Sequence, residues 1–211
     1  MRIYSVGVPP PVLSAEAVGE VGAMVETSVR FACAEDALGL SRDDRPDVWV
    51  VDALLRGVSG FELTRRLSAR TAAPPVLMVT TLAGSWPLAW AIRAGARGFL
   101  RWPAAGAVVA EALVCLSTGR AYWKTPERST VDDALLASGI EDLTPRQFEA
   151  LHLLLQGEDD VGTARAMSVS RRSAAAYRRE LAARLGLADD GVRTRLARAI
   201  GASCYVLPDG P

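Results

Sequence analysis

Two sets of residues in this chain have types and spacings suited to chemistry. The first centres on Asp52, which ends the apolar run Val48-Trp-Val-Val51 and is followed at an interval of eight residues by Gly60. A short apolar run of this kind reads as a strand buried on both faces of a parallel sheet. Open α/β sheets place their ligand sites at the carboxyl ends of such strands. A buried carboxylate needs hydrogen-bond partners or its pKa rises. Thr80, ending a second run from Val76, and backbone N–H groups are the partners on offer. The second set is basic. Residues 165–184 carry Arg165, Arg171, Arg172, Arg178, Arg179 and Arg184 against Glu180 alone, a net +5. Arg172, Ala175, Ala176, Arg179 and Ala183 share one face of a helix. Arginines on such a face contact phosphates and the edges of guanine, and alanine methyls touch thymine methyls.

The totals narrow the classes. A chain of 211 residues, 50% hydrophobic, suits one large or two small domains. The overall charge is balanced, so only its distribution points to nucleic acid. No uncharged apolar stretch reaches the roughly 18 residues of a membrane span, and residues 1–4 lack a signal peptide's pattern. A cytoplasmic protein is expected. Cys33, Cys115 and Cys204 are odd in number and far apart, which suits buried apolar thiols better than disulfides or zinc. The lone histidine, His152, sits in an apolar helical run and reads as structural. Neither a metal site nor a cofactor is expected.

The elements that position these residues follow from periodicity. Residues 2–8 read as a strand ended by Pro9-Pro10-Pro11, residues 12–25 as a helix, and Val29, Phe31 and Cys33 as an alternating second strand. A short helix over 34–41 precedes the strand at 47–52, and Phe61–Leu67 is an amphipathic helix. Then come a strand at Val76–Thr80, a helix over 86–94, a strand at 98–100 and a helix over 104–117. Five strands alternating with helices imply a parallel sheet covered on both faces. Gly119, Pro126 and Gly139 mark a connector. Val131 to Leu136 can add a helical turn there, and Tyr122 and Trp123 pack on one of the two halves.

Beyond it, Thr144, Pro145 and Gln147 form a helix start with a capping box. Phe148, Leu151, and Leu154 or Leu155 make its apolar stripe, and Gly157 its end. A short helix over 161–167, a turn at 168–170 with Ser170 as N-cap, and a helix over 171–185 stopped by Gly186 follow. A last helix spans about 191–200. Two helices joined by a tight turn, the second basic, form a helix-turn-helix.

These residues carry two resemblances. Arg45-Pro-Asp-Val-Trp-Val-Val-Asp52, Gly60, Thr80, Ala94-Gly-Ala-Arg-Gly-Phe-Leu100 and Pro103 resemble the receiver domain of two-component response regulators. Leu143-Thr-Pro-Arg146, Glu149, Leu151, Gly157, Ala164, Val169-Ser170 and Leu185-Gly186 resemble the LuxR/NarL-type DNA-binding domain. Together they imply a flavodoxin-like, doubly wound, five-stranded receiver-like domain over residues 1–120 and a linker over 121–141. A small all-α helix-turn-helix domain then covers 142–203, with a tail over 204–211. In the receiver family the aspartate matching Asp52 accepts a phosphoryl group. An acidic pair holds Mg²⁺, and a threonine or serine and a lysine contact the phosphoryl oxygens.

The chain departs from that pattern. The acidic pair should fall at Gly7 and Val8, and the lysine at Trp102. Mg²⁺ wants oxygen ligands in near-octahedral geometry, and phosphoryl transfer is almost entirely positioning and electrostatic stabilisation. Asp52 is therefore expected not to be phosphorylated efficiently. Two uses remain open for it: a carboxylate held by Thr80 or backbone N–H groups, or a remodelled small-molecule pocket walled by Val8 and Trp102. Trp86 and Trp90 would either enlarge that pocket or pack a helix face. In the DNA-binding half, Ala174 and Ala175 stand where the family usually has Val-Lys. Arg171, Arg172, Ser173, Ala175, Ala176, Tyr177 and Arg179 are the expected DNA contacts, with Tyr177 on a phosphate. Arg178 falls at an inward position, so it snorkels or the helix is rotated.

The expectation is a transcription regulator rather than an enzyme: an atypical response regulator that binds double-stranded DNA as a homodimer, or as a heterodimer with a related regulator. Dimerisation through the helix over 86–94, the strand at 98–100 and the helix over 104–117, or another face, would place two recognition helices on a two-fold operator. Val192, Leu196 and Ile200 would add a second contact. A conventional regulator phosphorylated on Asp52 and a ligand-sensing regulator are the alternatives.

Overall fold

The computed structural model describes residues 1–8, 10–13, 25–41, 44–82, 86–123 and 142–188. Its sheet is built from β1 (Arg2–Val6), β2 (Thr27–Phe31), β3 (Val48–Asp52), β4 (Val76–Thr80), β5 (Gly98–Arg101) and β6 (Tyr122–Trp123). All pairs are parallel, in the order β2-β1-β3-β4-β5-β6. The helices among them are α1 (Ala34–Leu38), α2 (Gly60–Ser68), α3 (Trp86–Arg93) and α4 (Gly106–Ser117). This is the flavodoxin-like architecture, with one strand more than the five expected. Tyr122 and Trp123 add to the free edge of β5, where Phe99 pairs with Trp123, and the Tyr122 hydroxyl bonds Glu111 on α4 at 2.9 Å. A two-residue strand is too short to show a period, so the sequence reads as connector there.

Strands β3 and β4 are buried at every position, as their continuous apolar runs require. Side chains alternate between two layers. Val48, Val50, Leu77, Val79 and Leu100 face Val12 and the α4 residues Val109, Leu113 and Leu116. Tyr4, Val6, Trp49 and Val51 face α1 and the Leu63 and Leu67 side of α2. Of the helix expected over 12–25, the described part is a 3-10 turn, Pro10–Leu13, and the rest lies outside the described residues. Cys33 caps α1 rather than ending β2. Cys33 and Cys115 are both half-exposed, which corrects the expectation of buried thiols. Each sits at an element's end or on the outer side of a helix, away from the packed layers. Cys204 and the connector turn expected at 131–136 lie outside the described residues.

The helical half contains α5 (Pro145–Leu155), α6 (Asp160–Met167) and α7 (Arg171–Leu185). The capping box at Thr144 and Gln147 is present, and Pro145 opens the helix. Ser170 caps α7 by accepting the Ser173 N–H at 3.1 Å, and Gly186 ends it in the left-handed conformation. Helix α6 ends at Ser168, also left-handed, which makes the tight turn into α7. The helix expected over 191–200, with Val192, Leu196 and Ile200, lies outside the described residues. Helix α5 departs from its expected stripe. Phe148, Glu149, Ala150, Leu151, His152 and Leu153 are all buried in succession. One side of α5 packs on α6 and α7, and the other packs on the sheet-bearing half through α2 and α3.

Gly60 fixes how α2 leaves the sheet. A Cβ at this position would lie 1.8 Å from the Asp52 carbonyl oxygen, and the Gly60 N–H donates to the Ala53 carbonyl at 2.8 Å. Gly60→Ala is expected to push α2 off β3 and to cost about 3 kcal/mol or more, since the clash is with backbone. Urea unfolding followed by far-ultraviolet circular dichroism measures it, and a loss below about 1 kcal/mol would mean that the loop yields easily.

Candidate functional site

Asp52 ends β3 at the carboxyl edge of the sheet and is 4% exposed. Its Oδ1 accepts the Leu54 N–H at 2.8 Å. Of the two kinds of partner expected, Thr80 or backbone N–H groups, the backbone supplies this one, while the Thr80 Oγ1 accepts the Leu82 N–H at 3.0 Å in its own loop. Burial pushes the Asp52 carboxyl up to about 7, against the smaller opposing effect of the Leu54 N–H.

The expected positions around Asp52 are occupied by apolar groups. Gly7 has a left-handed backbone, φ +66°, and a Cβ built on it would lie 2.2 Å from Leu55 Cδ2. The Leu55 side chain, 2% exposed, thus fills the volume in which a side chain at position 7 would begin. Val8 is buried, and Trp102 packs half-buried against the same apolar layer. Trp102 also donates its backbone N–H to the Thr80 carbonyl at 2.7 Å, and its bond to Pro103 is cis. The Mg²⁺ implied by the receiver family does not fit this set. Asp52 offers one carboxylate, Gly7 and Val8 offer none, and a leucine methyl stands where a ligand at position 7 would project. Among the described residues no three acidic, histidine or cysteine side chains cluster to hold a metal ion.

Trp86 and Trp90 do not wall this pocket. They lie in the opposite layer to Val8 and Trp102 and close on Phe61 of α2 and Phe148 of α5. The Trp90 and Phe148 rings meet edge-on at 4.6 Å, with Phe61 5.7 Å from each of them and Trp86 5.5 Å from Phe148. Edge-to-face rings at these separations are favourable beyond their buried area.

Polar groups rim this aromatic contact. Glu149 accepts the Ser59 N–H at 2.9 Å and the Ser59 hydroxyl. The His152 Nε2–H donates to the Leu55 carbonyl at 2.7 Å. A carbonyl only accepts, so the hydrogen is placed on Nε2. Gly57 N–H donates to Gln156 Oε1 at 3.0 Å, and Arg66 to the Ala166 carbonyl at 3.3 Å. Burial pushes Glu149 up, opposed by the bonds from Ser59, and pushes His152 down to about 4. The structural role expected for His152 is therefore joining the two halves. The sequence carries one sign of this contact: Glu149 and His152 interrupt an otherwise apolar helix side. It does not say which element faces them.

On the outer side, α7 presents Arg171, Arg172, Ser173, Ala176, Arg179 and Ala183 exposed, with Ala175 half-buried beside them. Among the described residues Arg172 and Arg179 make no hydrogen bond or ion pair. Arg178, expected at an inward position, is half-buried and paired. Its Nε bonds Asp160 at 2.7 Å and its Nη2 the Glu158 carbonyl at 3.1 Å, tying α7 to the start of α6. Tyr177 is half-buried against the apolar layer, which leaves its ring less free for DNA than its neighbours.

Residues 17–113 match the response regulator receiver domain. Over 70 residues the chain is 40% identical to protein PilH of Pseudomonas aeruginosa, covering 32% of this chain and 58% of PilH. It is 25% identical to the response regulator UvrY of Escherichia coli K12 over 171 residues, 79% of this chain and 78% of UvrY. A LuxR-family two-component response regulator from Aurantimonas sp. SI85-9A1 superposes with TM-score 0.52 at 28% identity, over 59% of this chain and 89% of that one. RcsB from Salmonella enterica serovar Typhimurium, bound to promoter rprA in the presence of phosphomimetic BeF3-, superposes with TM-score 0.66. That match is 15% identical and covers 96% and 99% of the two chains, so it bears on fold alone. The sheet, its order and these matches define a receiver-domain protein. With the helix-turn-helix half, the chain is similar along most of its length to response regulators of the LuxR/NarL type.

Two of the buried titrating groups, Asp52 and His152, should act in opposite directions with pH. Asp52 is raised in the fold, so its contribution is full below the unfolded value of about 3.9 and is lost as pH rises through about 7. His152 is lowered, so its contribution is full above about 6.5 and is lost as pH falls through about 4. Asp52→Asn should gain stability relative to wild type between pH 5 and 8, by on the order of 2–3 kcal/mol. His152→Gln should flatten the acid limb instead. Urea midpoints at both pH values check this; a pH-independent effect of Asp52→Asn would show an ionised carboxylate.

Proposed function

We propose that this protein is a DNA-binding transcriptional regulator that acts as a dimer without conventional phosphorylation of Asp52. The observation that carries the DNA-binding reading is the bare outer face of α7. Arg172, Ala176, Arg179 and Ala183 stand exposed on one side of a capped helix, as a major-groove reading head requires. Arg171 at the helix start and Arg165 on α6 are also exposed and would take phosphates, with Ser173 beside them and Ala175 at the groove edge. Tyr177 would reach a phosphate only by turning out of its packing.

The phosphorylation-independent reading rests on Gly7, Val8 and Trp102. These three positions supply no metal ligand and no cation, and Leu55 fills the space at Gly7. The same filling speaks against a small-molecule ligand beside Asp52. In this reading residues 1–120 form the receiver half and 142–203 the DNA-binding half. The linker over 121–141 begins by adding β6 to the sheet. The protein carries out no reaction, partners itself or a related regulator, and works in the cytoplasm. No helix among the described residues is long and apolar enough to cross a membrane. UvrY, similar over most of both chains, is likewise a response regulator.

Arg179→Ala should weaken binding to a selected genomic fragment by roughly 1–3 kcal/mol in a gel-shift titration, and unchanged affinity would remove this contact. Intact-protein mass after treatment with phosphoramidate and Mg²⁺ should show no phosphoryl adduct. A stoichiometric adduct lost in Asp52→Asn would establish conventional phosphorylation instead.

A further inference from the structure

The segment from Ala53 to Ser59 is bonded on both sides. On one side the Leu54 N–H donates to Asp52, and the Leu55 side chain enters the space beside Gly7. On the other, the Leu55 carbonyl receives the His152 Nε2–H at 2.7 Å, and Ser59 gives its N–H and hydroxyl to Glu149. Leu55 is thus the residue at which the acid site and α5 meet. Its side chain occupies the space a side chain at position 7 would enter, and its carbonyl is the one that meets α5.

We propose that Leu55 is a built-in stopper, and that closure of the acid site and docking of the helix-turn-helix on the receiver half are one structural event. With the side chain seated against Gly7, the carbonyl points at α5 and His152 and Glu149 find their partners. If Leu55 leaves, the bonds of His152 and Glu149 lose their geometry, and the aromatic contact of Phe148 with Phe61 and Trp90, with the bonds from Gly57 and Arg66, is left to hold the halves. The receiver half then works as a fixed scaffold for α5. Because the outer face of α7 is exposed in the docked form, the halves need not separate for that face to meet DNA. This last consequence rests on the DNA-binding reading, whereas the coupling does not.

Backbone amide exchange on the full chain, without DNA, tests the coupling. Leu55→Ala should speed exchange of the α5 amides about tenfold while the β3 and β4 amides stay protected. Leu55→Met, which keeps the volume, should leave α5 unchanged. Should Leu55→Ala fail to fold, the reciprocal variant reads the same coupling from the other end. His152→Ala should speed exchange of the Leu54 amide, whose hydrogen bond is to Asp52 and not to His152. Faster α5 exchange in Leu55→Ala, or faster Leu54 exchange in His152→Ala, supports the stopper. Leu55→Ala that loosens only β1 and β3, or His152→Ala that leaves Leu54 unchanged, overturns it.

Discussion

The loop between β3 and α2 is the constraint on which the rest of the structure depends. Gly60 brings α2 within backbone contact of Asp52, which leaves the intervening residues only a tight path. Leu54 must then turn its N–H to the Asp52 carboxylate, Leu55 must seat against Gly7, and Ser59 must cap α2. Each is a local requirement of satisfied polar groups and filled volume. Together they shape the surface on which α5 lands. The aromatic contact among Phe61, Trp86, Trp90 and Phe148 supplies the buried area, and Glu149 and His152 fix the orientation through directional bonds.

The same loop decides the electrostatics. A receiver site with a metal and a lysine keeps its aspartate ionised, because opposite charges favour the charged form. Here one backbone N–H, that of Leu54, opposes burial, so burial dominates and the carboxyl is pushed up to about 7. Glu62 shows the contrast on the next helix. Burial alone would raise it, but two bonds from Arg65 and one from Arg66 hold it below its usual range. The difference between the two carboxylates is the pair of arginines at Glu62, which has no counterpart at Asp52 among the described residues.

Much of the fold was legible in the sequence because its signals are local. The buried strands at Val48–Asp52 and Val76–Thr80, the capping box at Thr144 and Gln147, and the stops at Gly157 and Gly186 depend on a few neighbouring residues. The lost acidic pair was legible only against the receiver pattern that the chain resembles, which puts acids at the positions of Gly7 and Val8. What was not legible depends on distant partners. β6 exists because Tyr122 finds the free edge of β5 and Glu111. The burial of Glu149 exists because Ser59 lies opposite, 90 residues earlier. Thr80 was matched to Asp52 by position, whereas its hydroxyl is turned to Leu82. Arg178 was at an inward position by register, and the acid that meets it, Asp160, belongs to the preceding helix. Nor does periodicity announce that Leu55 will fill the space a missing side chain left.

In the proposed reading, Asp52 identifies the fold without operating as its switch. Gel-shift affinity for one genomic fragment, measured for wild type and Asp52→Asn with and without phosphoramidate and Mg²⁺, tests it most directly. The predicted result is four affinities equal within about twofold, a difference of less than about 0.5 kcal/mol. A phosphodonor-dependent tightening of tenfold or more in the wild type, absent in Asp52→Asn, would contradict the account.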